Sequence, residues 1–369
     1  DFSNLNDDFQ YAVTYGHALS VDEFFTNPIP QVAGTGFTTG DIKYETNILD
    51  LESGINYYVR AYALIQETLV VGRGIPMIVT WINESENNPV PVNRSDAVTF
   101  NLMGNGYMVT GFDDDGNTTS FYEYDGDSNA WTEFADAPFG GDERNEAIGF
   151  ALNDVGFAGF GKASNGTLLN DFWKFDANAG SPIWEEAFMF PGQLRIDPVM
   201  MIANGQAYLM TGKSFFSFHN DVWLFDENTG FEEKTPFPGV ARSEAATFTI
   251  GTFGYIGLGR SDSGLLSDFW SFDGTDFVPV EDFEGGARRE AIAFTLNGKG
   301  YVGMGISASG LEKDIWEYDP LEGWSKARDF PGEPRLNPVV MVIGDRAYIG
   351  LGHHGDQFFD DWWEYSPEL

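Results

Sequence analysis

An arginine followed two positions later by an acid or an amide recurs six times along the chain. The six arginines are Arg94, Arg144, Arg195, Arg242, Arg288 and Arg335, and the residues two positions on are Asp96, Glu146, Asp197, Glu244, Glu290 and Asn337. Residues two apart on a strand project to the same side, so both sets should converge around one axis. Because a guanidinium fork suits carboxylates, two interpretations follow. The arginines either bridge carboxylates and backbone carbonyls between neighbouring repeats, or form a binding site for an anion or a sugar acid at a channel mouth.

Other reactive residue types are scarce. The chain has no cysteine and four histidines, which excludes thiolate chemistry and leaves little for a transition-metal site. Residues 113–117 read Asp-Asp-Asp-Gly-Asn and offer oxygen ligands for calcium, but they lack the full loop spacing with a distal glutamate. We interpret them as a solvated acidic turn. No cofactor is expected.

The charge balance argues against nucleic acid as a partner. The formal net charge is -37 over 369 residues. Residues 1–80 hold 10 acids and 3 bases (-7), which leaves 47 acids and 17 bases (-30) in residues 81–369. Both parts would repel a phosphate backbone. No run of 18 apolar residues occurs and the first residues do not resemble a signal peptide, so a soluble, already processed or trimmed chain is expected.

The elements that position the arginines recur with the same period, since successive arginines are 46 to 51 residues apart. After each arginine come an apolar stretch, a turn such as Asn297-Gly298, and a second apolar run that ends in glycine, which predicts a hairpin. A third strand follows with the pattern Asp, apolar, Trp, any residue, aromatic, Asp, as in 171–176 and 314–319. An aromatic residue 11 to 13 positions before the next arginine marks a fourth strand. This period and strand content predict a β-propeller.

Closure of the ring sets the predicted number of blades. The sixth unit ends at Leu369 without a fourth strand, whereas Trp81 lies 13 residues before Arg94. We expect the segment around Trp81 to supply the missing strand, which would pair the two ends of the repeat array. The prediction is an all-β, six-bladed propeller over residues 81–369, with most of the tryptophans in its core.

The recurring glycines after the second strand, and the stretch in which an aromatic-Asp pair precedes a tryptophan, resemble the kelch repeat family. The resemblance covers about three quarters of the chain. It implies a kelch-type propeller fold and leaves the activity open, because family members share the architecture and not the chemistry.

Residues 1–80 have a different sequence pattern. Segments 15–20 and 57–63 alternate at period two, as half-buried strands do. Residues 51–57 look like the tyrosine corner of a fibronectin type III sandwich, with 76–80 as its last strand. We predict a small fibronectin type III-like β-sandwich, and because 80 residues is short for that fold, we expect its first strand to lie upstream of Asp1. The pairing of such a module with a kelch propeller resembles surface lipoproteins of the Bacteroidota, which implies an extracellular, outer-membrane-associated location in a Gram-negative bacterium.

The antiparallel strand order places the arginines and the loops between second and third strands at the same end of the ring. These loops differ most between repeats, and variable loops on a rigid scaffold usually carry binding. We therefore predict that this end contacts partners, with Phe215, Phe216 and His354 as exposed anchors and with the six arginines, Glu146, Glu244 and Glu290 as further candidate binding residues.

Two functions remain open from the sequence. The first is a non-catalytic binding or scaffold protein whose partners are other surface or outer-membrane proteins. The second is a carbohydrate-active enzyme resembling the kelch-type sialic acid mutarotases, with a glycan or sugar acid as ligand. The second would require an arginine and a glutamate, such as Arg144 with Glu146 or Arg288 with Glu290, to converge on an open pocket.

Overall fold

The computed structural model describes residues 80–86, 88–179 and 183–367, together with the backbone of five strands nearer the N-terminus. These five strands are Tyr11–Ser20, Ile29–Thr38, Asn56–Ile65, Thr68–Val71 and Ile75–Ile78. They form one antiparallel sheet in which Asn56–Ile65 pairs with Tyr11–Ser20 along one edge and with the last two strands along the other. The predicted strands 15–20 and 57–63 lie within this sheet. Most of the predicted tyrosine corner, residues 51–55, lies outside the described residues, and the fibronectin type III assignment stays a prediction.

Most of the remaining described strands form six four-stranded antiparallel sheets. We number the repeats 1 to 6 from the six arginines, and each repeat supplies the first strand of the sheet with the same number. The first strands are Val98–Leu102, Ile148–Leu152, Val199–Ala203, Ala246–Ile250, Ile292–Leu296 and Val339–Ile343. The second strands are Asn105–Val109, Val155–Gly159, Gln206–Met210, Phe253–Gly257, Lys299–Gly303 and Arg346–Gly350.

The outer strands follow in the same order. The third strands are Phe121–Asp125, Asp171–Asp176, Val222–Asp226, Phe269–Phe272, Ile315–Asp319 and Trp362–Tyr365. The fourth strands are Ala130–Glu133, Trp184–Met189, Gly230–Lys234, Phe277–Val280, Gly323–Lys326 and, in the sixth sheet, Trp81–Asn83. A short 3-10 helix, Glu84–Glu86, follows the last of these. The fourth strand of the sixth sheet thus precedes the first repeat in the sequence.

The first strands contact one another in a closed cycle, in which the strand of repeat 6 contacts that of repeat 1. Side-chain hydrogen bonds join neighbouring first strands in the same way at two of these junctions. The Thr247 hydroxyl donates a hydrogen bond to the Met200 carbonyl at 3.2 Å, and the Thr99 hydroxyl donates one to the Val340 carbonyl at 3.0 Å. The junction between repeats 6 and 1 is therefore built like the junction between repeats 3 and 4.

The core lies between neighbouring sheets. Phe100, Tyr107 and Phe121 of the first sheet pack with Phe175 and Trp184 of the second, and the rings of Phe121 and Phe175 are 4.7 Å apart. Gly156 makes room for Phe100, because a Cβ at this glycine would lie 2.3 Å from that ring. Aromatic packing of this density stabilises the stack of sheets. Among the described residues, no helix has the length and apolar character that crossing a bilayer would require.

Short hairpins connect the second and third strands of each repeat, and several extend into two-residue strands. Within the hairpins, the paired strands are Phe112–Asp113 with Gly116–Asn117, Arg260–Ser261 with Gly264–Leu265, Ile306–Ser307 with Gly310–Leu311, and His353–His354 with Gln357–Phe358. Two further short strands precede first strands and pair with a hairpin, namely Arg144–Asn145 with Lys162–Ala163 and Arg288–Arg289 with Ile306–Ser307. The residue after each repeat arginine pairs with the first residue of its hairpin, for example Ile196 with Lys213. The arginines and the hairpins therefore share one end of the ring, which we call the loop face.

Candidate functional site

Each repeat arginine is fully buried, and Arg144 shows the arrangement that holds it. Its two terminal nitrogens donate to the two carboxylate oxygens of Asp171 at 2.7 and 2.8 Å. It also donates to the backbone carbonyls of Asp142 and Phe160, and its guanidinium lies over the Phe139 ring at 4.9 Å. The Trp173 indole nitrogen donates to the same Asp171 carboxylate at 2.7 Å. We call this combination of arginine, aspartate, tryptophan and phenylalanine the clamp.

Four other repeats have the same clamp. Its arginine–aspartate pairs are Arg195 with Asp221, Arg242 with Asp268, Arg288 with Asp314, and Arg335 with Asp361. In each pair both residues belong to one repeat. The arginines therefore do not bridge neighbouring repeats through these carboxylates, as one interpretation of the sequence expected. They fasten the start of the first strand to the start of the third strand within the same sheet.

The clamp also sets the ionisation of its acids. Burial opposes the charged form of Asp171, Asp221, Asp268 and Asp314, yet the hydrogen bonds and charge of the paired arginines hold the pKa of each carboxyl below its usual value. These carboxylates stay ionised and hydrogen-bonded to their arginines. The five clamp arginines consequently present no free guanidinium to a ligand.

Repeat 1 departs from this pattern. Arg94 is as buried as the other five, but it donates to the hydroxyl and carbonyl of Ser120 and lies 5.5 Å from the Tyr122 ring centroid. Its Nε has no hydrogen-bond partner. Burial lowers the pKa of Arg94, and the neighbouring acids counter only part of that effect. Serine and tyrosine thus replace the aspartate and tryptophan of the clamp.

The residues two positions after the arginines point elsewhere. Asp96, Glu146, Asp197, Glu244, Glu290 and Asn337 all have left-handed backbone conformations, with φ between +48° and +56°. This turn breaks the two-residue alternation of a strand, so the acids separate from the arginines and line a central cavity of about 260 Å³. We call these six the inward residues. The predicted convergence of arginine and acid around one axis is therefore found for the acids alone.

Three cations that the sequence analysis did not single out lie against the inward acids. Lys162 contacts Glu146 at 2.8 Å, Arg260 contacts Glu244 at 2.7 Å, and Arg289 contacts both Glu244 and Glu290. Lys162 and Arg260 each follow a glycine that lies two residues after the end of a second strand, and Arg289 follows the clamp residue Arg288. That shared position after the glycine was the available signal for two of them.

Two inward acids lack such a cation. Burial, followed by the charge of Glu146, raises the pKa of Asp96 to about 7, although a hydrogen bond with Asn337 works in the other direction. Burial and the charge of Glu244 raise the pKa of Asp197 well above its usual value. Burial also raises the pKa of Glu290, and Glu244 adds to this effect. Crowding of carboxylates around the cavity therefore favours protonation of some of them near neutral pH.

The cavity presents carboxylate acceptors, some of them without a hydrogen-bond partner. Oxygen Oε2 of Glu146 and of Glu290 is buried without a hydrogen-bond partner. Among the described residues, no group of three or more acidic or histidine side chains is placed to hold a metal ion. The carboxylates of the cavity can accept hydrogen bonds from the hydroxyl or amino groups of a ligand, while Arg260 and Arg289 hold Glu244 in place.

The loop-face anchors predicted from the sequence are exposed. Phe215 and Phe216 are 72% and 98% exposed at the tip of the repeat 3 hairpin. His354 is exposed on the repeat 6 hairpin. Its neighbour His353 is half-buried and lies 2.8 Å from the Ser95 hydroxyl, and burial lowers the pKa of that imidazole. The structure therefore keeps the phenylalanine pair and His354 on different hairpins.

An all-β chain of small four-stranded sheets, joined through their first strands, fits a β-propeller. The comparison with solved structures agrees. The structure of YjhT aligns with 74% of this chain and 95% of its own, with a TM-score of 0.63 and 17% sequence identity. No family model and no curated protein matches the sequence. At this identity, the likeness concerns the fold alone.

Proposed function

We propose that residues 81–369 form a six-bladed kelch-type propeller that works as a non-catalytic binding protein on a bacterial cell surface. The observation that carries this proposal is the clamp. Five of the six repeat arginines are neutralised by an aspartate of their own repeat, and all six are buried. The residues that recur most regularly thus build a rigid scaffold, while the exposed hairpins above them differ from repeat to repeat.

The partners in this proposal are other surface or outer-membrane proteins, and the N-terminal sheet belongs to a fibronectin type III-like module. Support comes from the strongly acidic surface, which disfavours nucleic acid, and from the resemblance to Bacteroidota surface lipoproteins. An assembly role requires no chemistry from the propeller, and this agrees with a chain that lacks cysteine.

Affinity purification of the full chain from the envelope fraction of its native cells, after mild cross-linking, tests this proposal. We expect one or a few proteins to be recovered in near-stoichiometric amounts. The control is Gly259→Ala, which disturbs the scaffold under the hairpin of repeat 4 and shows whether recovery of the partner depends on a correctly folded propeller. The proposal fails if no protein is enriched over an empty affinity resin.

One observation favours a second candidate, an enzyme that interconverts the anomers of a sugar acid. Arg260 and Arg289 pair with Glu244 and Glu290, two of the acids that line the central cavity, whose volume lies near the lower end for small-molecule sites. YjhT has a similar fold, and the resemblance to the kelch-type sialic acid mutarotases drawn from the sequence supplies the candidate reaction. A guanidinium could hold the carboxylate of the sugar while a glutamate moves the proton of the anomeric hydroxyl.

The two functions separate in one NMR experiment on the full chain. The rate at which N-acetylneuraminic acid anomers exchange should stay at the uncatalysed value if the protein only binds. If catalysis occurs, Glu290→Gln should abolish it, while Glu317→Gln, which lies on a third strand away from the cavity, should not. Catalysis by the wild-type chain with this mutational pattern would replace the first proposal by the second.

A further inference from the structure

The tip of the repeat 3 hairpin is chemically unlike the tips of the other five hairpins. Pairing of Lys213 with Phe218 places Phe215 and Phe216 at the two central positions of its turn. The corresponding residues elsewhere are Asp114 and Asp115, Ser164 to Gly166, Asp262 and Ser263, Ala308 and Ser309, and Gly355 and Asp356. Only repeat 3, among these described hairpins, carries large apolar side chains at its tip.

The turn that carries the two rings is held on both sides. Ser214 and Ser217 exchange hydrogen bonds across it, with the Ser214 amide donating to the Ser217 carbonyl at 2.9 Å. Below it, the Lys213 ammonium lies over the Phe218 ring at 4.9 Å. A tip fixed in this way presents its rings with little loss of conformational entropy on binding.

Two further exposed apolar residues flank this hairpin. Leu194, 41% exposed, precedes the segment in which Ile196 pairs with Lys213. Val240, 51% exposed, precedes Arg242, which pairs with His219 at the other end of the hairpin. We call these two residues, together with Phe215 and Phe216, the apolar cluster, because all four are large, exposed apolar side chains in the loop-face segments of repeats 3 and 4. Aromatic residues, Phe included, are enriched in the cores of protein interfaces relative to the rest of the surface.

We propose that this apolar cluster (Leu194, Phe215, Phe216 and Val240) docks a protein whose contact surface is an apolar pocket with a basic rim. The inference rests on the proposed binding function and names the surface and the partner chemistry. The basic rim follows from charge, because residues 81–369 hold 47 acids and 17 bases. A basic partner is steered towards such a surface.

The same charge disfavours other occupants. A second copy of the chain also carries a charge of -37, and two such surfaces repel each other. An anionic lipid surface would repel the propeller as well. A protein partner is left as the occupant that both the aromatic tip and the surrounding charge suit.

Photo-cross-linking from position 216 of the full chain tests the proposal. The chain carries p-benzoylphenylalanine in place of Phe216, is mixed with the envelope fraction of its native cells, and is irradiated. We expect the cross-linked species to be a protein with a basic contact surface. A cross-link to a lipid or to a second copy of the chain, or no cross-link at all, would overturn the assignment of this surface.

The identified protein is then purified and its Kd measured with variants of the full chain. We expect Phe216→Asp to weaken binding about 30-fold or more, and raising the salt from 50 to 500 mM to slow association at least several-fold. The matched control is Phe253→Asp, which changes a phenylalanine 45% exposed on the opposite face and should leave Kd unchanged. Thermal unfolding of both variants reports whether they fold.

The outcomes separate this inference from the function on which it rests. If the full chain recovers a partner but Phe216→Asp binds it as tightly as the wild type, the apolar cluster is not the docking surface and the binding function stands. If no partner is recovered by the full chain, the binding function fails as well.

Discussion

Arg94 donates its hydrogen bonds to Ser120, whereas the arginine of every other repeat meets an aspartate at the corresponding position. A buried guanidinium without a carboxylate partner is costly, because no ion pair offsets the loss of its hydration. Repeat 1 is therefore the least compensated part of the scaffold.

Ser120→Asp should restore the clamp in repeat 1. We expect the free energy of unfolding to rise by about 1 to 3 kcal/mol, because the new carboxylate accepts charge-assisted hydrogen bonds from Arg94. Urea denaturation followed by tryptophan fluorescence measures the change. The reciprocal variant, Asp171→Ser, should lower stability by about 3 to 5 kcal/mol, since it leaves Arg144 buried and unpaired. Equal stability of wild type and Ser120→Asp would show that Ser120 and its surroundings already compensate Arg94.

The inward acids should make stability fall as the pH rises from about 4 to about 7. Asp96 has its pKa raised from 3.8 to about 7, so the folded chain binds this proton more tightly than the unfolded chain does across that interval. Stability from this group is complete below the unfolded pKa and is lost as the pH passes the folded pKa. Asp96→Asn should therefore stabilise the protein at pH 7.5 and leave it nearly unchanged at pH 4. Denaturation at the two pH values, with the exposed Asp127→Asn as control, decides the point.

The clamp acids should act in the opposite direction at lower pH. Asp171, Asp221, Asp268 and Asp314 have lowered pKa values, so their contribution is present above the unfolded pKa and disappears as the pH falls through the folded one. We expect greatest stability at mildly acidic pH, between these two regimes. A thermal unfolding series from pH 2 to pH 8 that showed a steady rise towards pH 8 would contradict this expectation.

A chain that begins at residue 94 should be far less stable than one that begins at residue 80. The shorter chain lacks Trp81–Asn83, the fourth strand of the sixth sheet, so that sheet would keep three strands and an open edge. Differential scanning calorimetry of the two chains compares their Tm values. Identical Tm values would exclude closure of the ring by this strand.

Gly259→Ala should destabilise repeat 4 by steric overlap. A Cβ at this position would lie 2.4 Å from the backbone oxygen of Ser243. Gly264 also has a positive φ, but nothing lies within 4 Å of its Cβ position, so Gly264→Ala isolates the backbone strain. We expect Gly259→Ala to cost about 1 to 3 kcal/mol more than Gly264→Ala in chemical denaturation. Similar costs for the two would mean that the strand can move away from Ser243.

The strand order of each repeat could be predicted from the sequence because its signals are local. Alternating apolar residues, the turn at Asn297-Gly298 and the aromatic residues of the third strand specify a four-stranded unit within about 50 residues. The exposure of Phe216 was also predictable, since no repeat position accounts for it. These inferences required no knowledge of how the sheets meet.

The direction of the arginine side chains could not be predicted in this way. Regular strand geometry would place Arg144 and Glu146 on one side, but Glu146 adopts a positive φ that few residues other than glycine adopt. The residue type of Glu146 gives no indication of that conformation. The pairing of Arg289 with Glu244 depends on two repeats meeting at the cavity, and a pattern within one repeat does not contain this information.

The equivalence of the inter-sheet junctions has a consequence for the kinetics of folding. The bond from Thr247 to Met200 joins residues 47 apart in the chain, whereas the same bond from Thr99 to Val340 joins residues 241 apart. Both bring similar enthalpy, but the second must close a far longer loop, and contacts of long sequence separation form slowly. We expect the amides of Val199–Ala203 and Ala246–Ile250 to become protected in pulsed hydrogen exchange before those of Val98–Leu102 and Val339–Ile343. Simultaneous protection of all four strands would show instead that the ring forms in a single cooperative step.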